Sequence, residues 1–566
     1  METPNQFTMC RDLVAGLADA GVTLFIVSPG SRNTPITLAA ANDPRVDDLN
    51  IRDERSAGFM ALGYAKATGR PAAVVCTSGS AAAHYLPAVV EADQSGTPLI
   101  VLTSDRPVRL RGTGAPQTMD QVDLFGNHVK TFIDAVDADG RSLAAKLNDS
   151  AIGGYPGPVH ANLPFNEPLV APEPMQPGEP SNSPDASAPP GCPPEYRDLH
   201  ARHVGARILF VVGGTQRPAF PEELARVAES LGAPILGDPQ SIVQGDNVIR
   251  YADLLPSAHD AGGKLIALSD LEPDLVVRLG SLPATASKPL VRWMEHSGVE
   301  QILVSDARLG DPLGSATTEV MCDPTEFLAS QRIASGHADT EYLEAWKMLD
   351  RIVGEAAVQA VDTLDWPSEP EVALAVSSSV PSGSILWAAS SRPIRDIDML
   401  GGQRGDIRVL ANRGVNGIDG QVSAALGAAA GSRRPTVLWC GDLTLLHDVS
   451  GLVAGRLHDA DLTIVVSNDD GGGIFEYLPV AQAVPRSVFE PLFAVPHGLD
   501  LSELARGLGW NASRVAASSS FTRALSSALR GGRHVIEVPV DRAANTAFHA
   551  ALSDVVRSQL RREPLR

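Results

Sequence analysis

The chain repeats itself. The stretch MALGYAKATGRPAAVVC, with Gly63, Pro71 and Cys76, aligns without a gap on AALGAAAGSRRPTVLWC, with Gly427, Pro435 and Cys440. The same offset carries Ile100-Val101-Leu102 onto Ile464-Val465-Val466. Any two strand–helix–strand units share apolar periodicity, but periodicity does not demand matched Leu-Gly, Arg-Pro and Cys. Two copies of one fold therefore flank a different middle region.

Short apolar runs alternate with helix-like stretches throughout. VTLFIVS, AAVVCTS and PLIVLTS come first, then RILFVVGG, APILGD, LVVRLG and QILVSD, then SILWAAS, PTVLWCGD, LTIVVSND and HVIEVPV. This alternation predicts an α/β protein of three domains, each a mainly parallel sheet flanked by helices. With 566 residues and domains of roughly 100–200 residues, three is the expected number. The Pro- and Ser-rich run from Val170 to Tyr196 reads as an extended linker. The expected divisions are residues 1–170, a linker over 171–200, a central domain over 201–345 and a last domain over 346–566.

A net charge of −21 argues against nucleic acid as a main partner, because phosphate binding needs basic surface. No apolar run is long enough to span a membrane. METPNQFTMCRDL has no basic segment followed by an apolar one, so a cytoplasmic protein is expected. Cys10, Cys76, Cys192, Cys322 and Cys440 lack CxxC spacing and suggest neither a disulfide framework nor a zinc site.

The offset also pairs unlike residues, Glu54 with Ile418 and Ser78 with Asp442, while Asp105 pairs with Asp469. Similar domains with different polar residues suggest one site divided between them. The last copy carries the strongest motif. PTVLWCGDLTLLHD ends a strand at Gly441-Asp442, and LTIVVSNDDGGGIFEYL ends another at Asn468-Asp469. Both acids then stand at the carboxyl ends of parallel strands, where open α/β sheets bind ligands. Two hard oxygen ligands and a backbone carbonyl suit Mg²⁺, with ligand phosphates completing the octahedron. The glycines let backbone approach those phosphates. Either acid alone is explained as well by a helix cap. Glu54 reads equally as a carboxylate favouring a helix N-terminus, and Ile418 as a core residue. Arg32, Arg106, Arg395 and Arg413 sit in Gly-, Ser- or Pro-rich turns, and four such arginines suggest a substrate with several carboxylates.

The strings SPGSRNTPI, DERSAGF, TSGSAAAHYLPAVVEA, TGAPQTMDQ, ANRGVNGIDG, GDLTLLHD and NDDGGGIFEYLP together resemble the 2-succinyl-5-enolpyruvyl-6-hydroxy-3-cyclohexene-1-carboxylate (SEPHCHC) synthase family, the thiamine diphosphate-dependent enzymes of menaquinone biosynthesis. The general signature of thiamine enzymes begins Gly-Asp-Gly and ends Asn-Asn; Gly441-Asp442-Leu443 and Asn468-Asp469 are the variant that this branch carries. The resemblance implies that the first and last domains share the thiamine diphosphate-binding fold. It implies a transferase of aldehyde or ketone residues that decarboxylates 2-oxoglutarate and adds the succinyl carbanion equivalent to isochorismate. Rival readings are an acetolactate synthase-like carboligase or simple decarboxylase, and a non-catalytic ligand-binding relative; Glu54 and Asp442 are both present, against the last.

The resemblance also implies roles. Glu54 would activate the cofactor at its pyrimidine, and Gln117 would act beside it. Asp442, Asp469 and the carbonyl of Gly471 would hold Mg²⁺, or Mn²⁺ in its place. Thr77, Ser78, Gly79, Gly417, Ile418, Gly441, Leu443, Thr444, Gly472 and Ile474 would contact the cofactor. Ser391, also against the cofactor, and Arg395 would bind the part derived from 2-oxoglutarate. Ser31, Arg32, Arg106, Gln117, Lys288 and Arg413 would meet the acceptor, and Ile474, Phe475 and Leu478 would form an apolar wall. Pro116 departs from the Asn that related enzymes carry before the Gln, which leaves that loop's contacts open. Relatives of this kind are homodimers or homotetramers whose sites lie at the chain interface.

Overall fold

A computed structural model describes residues 6–181, 191–214, 219–251, 254, 271–280, 288–305, 311–332, 340–402, 404–456 and 460–562. Its strands form three six-stranded parallel sheets. The first holds β1 (Leu24–Val27), β2 (Asp47–Asn50), β3 (Ala72–Cys76), β4 (Leu99–Asp105), β5 (Phe132–Asp134) and β6 (Pro158–Pro164), in the order β2-β1-β3-β4-β6-β5. The second holds β7 (Ile208–Val212), β8 (Ile235–Gly237), β9 (Val248–Ile249), β10 (Leu275–Leu279), β11 (Glu300–Ser305) and β12 (Thr318–Met321), in the order β12-β11-β10-β7-β8-β9. The third holds β13 (Ile385–Ala388), β14 (Arg408–Leu410), β15 (Thr436–Gly441), β16 (Leu462–Asn468), β17 (Asn511–Arg514) and β18 (Arg533–Pro539), in the order β14-β13-β15-β16-β18-β17.

Numbered from its own first strand, the third sheet repeats the first sheet's order, as the sequence repeat requires. The middle sheet follows a different doubly wound order. β1, β3, β4, β7, β10 and β13 are buried along their whole length. Parallel strands covered by helices on both faces need such continuous apolar runs.

The chain divides into two compact units. One comprises residues 1–188 with 412–436 and 444–462; the other comprises 189–411, 437–443 and 463–566. Of the expected linker, 171–181 and 191–200 carry only the turn Pro194–Tyr196 and the start of helix Leu199–Arg202. Residues 182–190 lie outside the described residues. All five cysteines are buried, and none is in a disulfide. Among the described residues, no helix is long and apolar enough to cross a membrane.

Within the first unit the repeat takes physical form. Helix Glu54–Thr68 has no β-branched residue before its last position, which favours helix. It is capped by Asp53, whose side chain accepts from the N–H groups of Arg55 and Ser56, and it stops at Gly69, where φ is +72°. It packs against its repeat counterpart, helix Gln421–Ser432. A methyl group at Gly63 would lie 1.8 Å from the carbonyl oxygen of Ala424, and one at Gly427 would lie 1.9 Å from that of Met60. Met60 and Ala424 are themselves matched by the sequence repeat, so the contact is reciprocal. Each glycine opens room for the other helix's backbone.

Candidate functional site

A ligand crevice is expected where strand order reverses, at the carboxyl ends of the strands. In the first sheet this point lies between β1 and β3, in the third between β13 and β15. The predicted residues stand there. Ser31 and Arg32 follow β1; Thr77, Ser78 and Gly79 follow β3; Ser391 follows β13; Gly441 and Asp442 end and follow β15. Gly79 (φ 87°, ψ −148°) and Ser391 (φ 83°, ψ −132°) share one backbone conformation and each opens a helix. For a serine that conformation is strained, and such strain collects at ligand-binding turns.

In the second unit, Asp442 is 2% exposed. Its carboxylate accepts from the N–H of Leu443 at 2.5 Å and of Gly471 at 2.8 Å, and faces His497 Nε2 at 3.1 Å. Burial raises the Asp442 pKa above the usual carboxylate range, although these three neighbours oppose the rise. Asp469, just beyond β16, is pushed up to about 8 by burial and then by the negative charge of Asp442; Arg542 offsets this only in part. A buried carboxylate and a half-buried one that repel each other are the arrangement a bound cation reverses. Among the described residues no cluster of three His, Cys, Asp or Glu side chains could hold a metal. The candidate site therefore rests on two carboxylates and a backbone carbonyl, a hard-oxygen set.

The three glycines after Asp470 answer to the protein's own packing. A methyl group at Gly471 would lie 2.1 Å from Ala494 O, one at Gly472 2.6 Å from Phe493 O, and one at Gly473 1.7 Å from the Asp469 carboxylate. Asp470 ties down the same segment, accepting from the N–H of His497 at 2.9 Å and of Gly498 at 2.7 Å. Sequence reasoning missed His497 because its partner lies far along the chain and no periodic signal links them. Beyond the glycines, Ile474 and Phe475 are half-buried in the turn Gly473–Tyr477, with Phe475 edge-on to Phe493 at 6.1 Å, and Leu478 is exposed. Arg395 is half-buried, and its guanidinium donates to the carbonyl of Ser391.

In the first unit, Glu54 is half-buried at the first position of its helix. Its charge adds to the rise that burial causes in the Cys76 and Tyr85 pKa values. Gln117 is exposed, with φ +55°. Its side-chain nitrogen donates to Ser78 O at 3.2 Å, and its carbonyl accepts from Ser78 Oγ at 3.0 Å. Pro116 before it is exposed. Arg32 is buried, donating to Phe165 O at 3.1 Å and pairing with Glu167 at 3.1 Å. Arg106 is half-buried after β4; Arg413, Gly417 and Ile418 are half-buried in the loop before helix Gln421–Ser432. Thr444 is buried on the helix that Asp442 opens. Lys288 begins helix Lys288–His296, but its side chain lies outside the described residues.

Comparison with known proteins fits this geometry. Residues 7–124 match the N-terminal TPP binding domain of thiamine pyrophosphate enzymes, and residues 404–538 the C-terminal TPP binding domain. The chain is 40% identical to a SEPHCHC synthase of Geobacillus kaustophilus, with 97% of each chain covered. It is 37% identical to that of Chloroflexus aurantiacus, covering 97% of this chain and 96% of the relative, and 37% identical to that of Myxococcus xanthus, covering 96% of each. Among solved structures, a benzoylformate decarboxylase from Polynucleobacter necessarius superposes with a TM-score of 0.72 at 19% identity, over 94% of this chain and 99% of that one. At that identity the likeness speaks for the fold alone.

Proposed function

The chain belongs to the SEPHCHC synthase family of thiamine diphosphate enzymes, and from that premise we propose that it decarboxylates 2-oxoglutarate and joins the remaining succinyl unit to isochorismate. The observation that carries this reading is the division of unlike polar residues between two copies of one sheet. Carboxylates suited to a metal stand at the ends of β15 and β16, and Glu54 heads the helix after β2.

Asp442, Asp469 and the carbonyl of Gly471 would hold Mg²⁺ or Mn²⁺, which would neutralise both acids and anchor the diphosphate. Bound thiamine diphosphate would supply the sink for the electron pair that departing CO₂ leaves behind. Glu54 would hold and exchange a proton at the pyrimidine N1′. Ser391 and Arg395 would read the distal carboxylate of the oxo acid, while Ile474, Phe475 and Leu478 exclude water. Ser31, Arg32, Arg106, Gln117, Lys288 and Arg413 would orient the carboxylate-bearing acceptor. Arg32 would exchange Glu167 for a substrate carboxylate; the Glu167 side chain is 66% exposed and can return to water, while the buried guanidinium keeps a carboxylate partner throughout.

The test is direct. Purified protein with Mg²⁺, thiamine diphosphate, 2-oxoglutarate and isochorismate should yield a product with the mass of both substrates less CO₂. No such product, with turnover of pyruvate and a small carbonyl acceptor instead, would replace this reading with a carboligase of the acetolactate synthase kind.

A further inference from the structure

One buried ion pair in the first unit belongs to none of the groups above. Lys66 and Glu91 have side chains 5% and 2% exposed, and Lys66 Nζ lies 2.7 Å from Glu91 Oε1. The Glu91 carboxylate reaches further. Oε1 also accepts from the N–H of Gly414 at 2.9 Å, and Oε2 accepts from the N–H of Val415 at 2.8 Å. A methyl group at Gly414 would lie 2.8 Å from Glu91 O and 3.0 Å from Oε2, so only glycine lets this loop lie so close. The loop carries Arg413 immediately before the two held N–H groups.

We propose that Glu91, charged and held by Lys66, is a positioning residue for acceptor recognition: it clamps two consecutive backbone N–H groups and so fixes Arg413 against the acceptor's carboxylate. The proposal rests on the reading of Arg413 given above. The physical case is that a buried charge must be fully bonded to persist. Here three donors on three residues share one carboxylate, and two of them belong to the loop. Side chains that orient a substrate need such support, because small misplacements cost large factors in rate.

The experiment uses the full-length holoenzyme. Glu91→Gln keeps the shape but turns an N–H donor toward one of the clamped N–H groups. Glu91→Gln combined with Lys66→Met removes the ion pair as a unit and serves if the single variant does not fold. In either, amide exchange over the segment around Gly414 and Val415 should accelerate. The KM for isochorismate should rise roughly 10- to 150-fold, the loss expected when a charged hydrogen bond is broken, while the KM for 2-oxoglutarate stays within about twofold. Arg413→Ala should raise the isochorismate KM too, and adding Glu91→Gln to it should have little further effect. Unchanged exchange at Gly414 and Val415 would overturn the clamp. A normal isochorismate KM in the Glu91 variants, or effects of Glu91→Gln and Arg413→Ala that multiply, would overturn the proposal while leaving the role of Arg413 intact. A normal isochorismate KM in Arg413→Ala alone would overturn the reading of Arg413, and the proposal with it.

Discussion

Glu54→Gln is expected to fold and to bind cofactor, because the helix it opens is capped by Asp53 and not by Glu54 itself. An amide cannot cycle a proton at the pyrimidine N1′, so exchange of the thiazolium C2 proton should fall by about 10²–10⁴-fold. NMR of that exchange decides; a wild-type rate would remove Glu54 from the mechanism. His160 makes a second expectation. It is fully buried on β6, within 2.7 Å of Thr103 Oγ1, and burial pushes its pKa down to about 3 although Asp134 opposes this. Above about pH 6.5 the ring is neutral in both folded and unfolded chains. Below that, the unfolded chain takes up a proton that the folded one refuses, so stability is lost as pH falls from about 6.5 toward the folded value. In histidine-labelled protein its ring resonance should keep the neutral position down to pH 5. A resonance that titrates near pH 6.5 would contradict the burial argument. The acids Asp442 and Asp469 are legible in sequence because each closes an apolar run, and three glycines follow the second of them after Asp470. His497 and Glu91 were not legible, since their partners are distant backbone or side-chain groups that only the folded chain assembles.

At the scale of elements, the sequence pattern reveals interior strands and misses edges. Each apolar run read from the sequence is an interior strand of its sheet. The edge strands β2, β5, β9, β12, β14 and β17 carry no such run. An edge strand buries less and needs no apolar run: β2 is DDLN and largely exposed, and β17 is NASR. β6 is interior yet lacks an apolar run for another reason. Its sequence PVHANLP carries His160 and Asn162, and Asn162 bonds Asp105 at 3.0 Å and Gln121 at 3.0 Å. The hydrogen bonds of Asn162 replace apolar contacts there. The repeat was legible, but the reason its glycines match was not, because a close helix crossing leaves no local mark. Gly63→Ala should cost about 3 kcal/mol, the upper part of the range for overpacking, since the clash is with rigid backbone. A lowered thermal midpoint with unchanged helix content would be the signature. A variant as stable as the wild type would show that the two helices can move apart freely.

At the scale of the whole molecule, the repeat puts the metal-suited acids on one copy of the fold and Glu54 on the other, and neither copy carries both sets. We propose that, as in the resembled family, a complete site takes Glu54 from one chain and Asp442 from a second, so that a dimer holds two sites. Complementation tests this without any knowledge of how the domains meet. Glu54→Gln and Asp442→Ala chains are each expected to be inactive. Mixed in equal amounts and allowed to exchange, they form mixed dimers in half of the population. In each mixed dimer one shared site gathers both defects and the other is intact, so activity should return to about a quarter of the wild-type rate. If every site were built within one chain, each would keep one defect and no mixture could recover. Exchange can be followed independently by tagging one variant and measuring mixed dimers by mass. Mixed dimers that form in the expected amount but stay inactive would defeat the shared-site proposal and confine each site to a single chain.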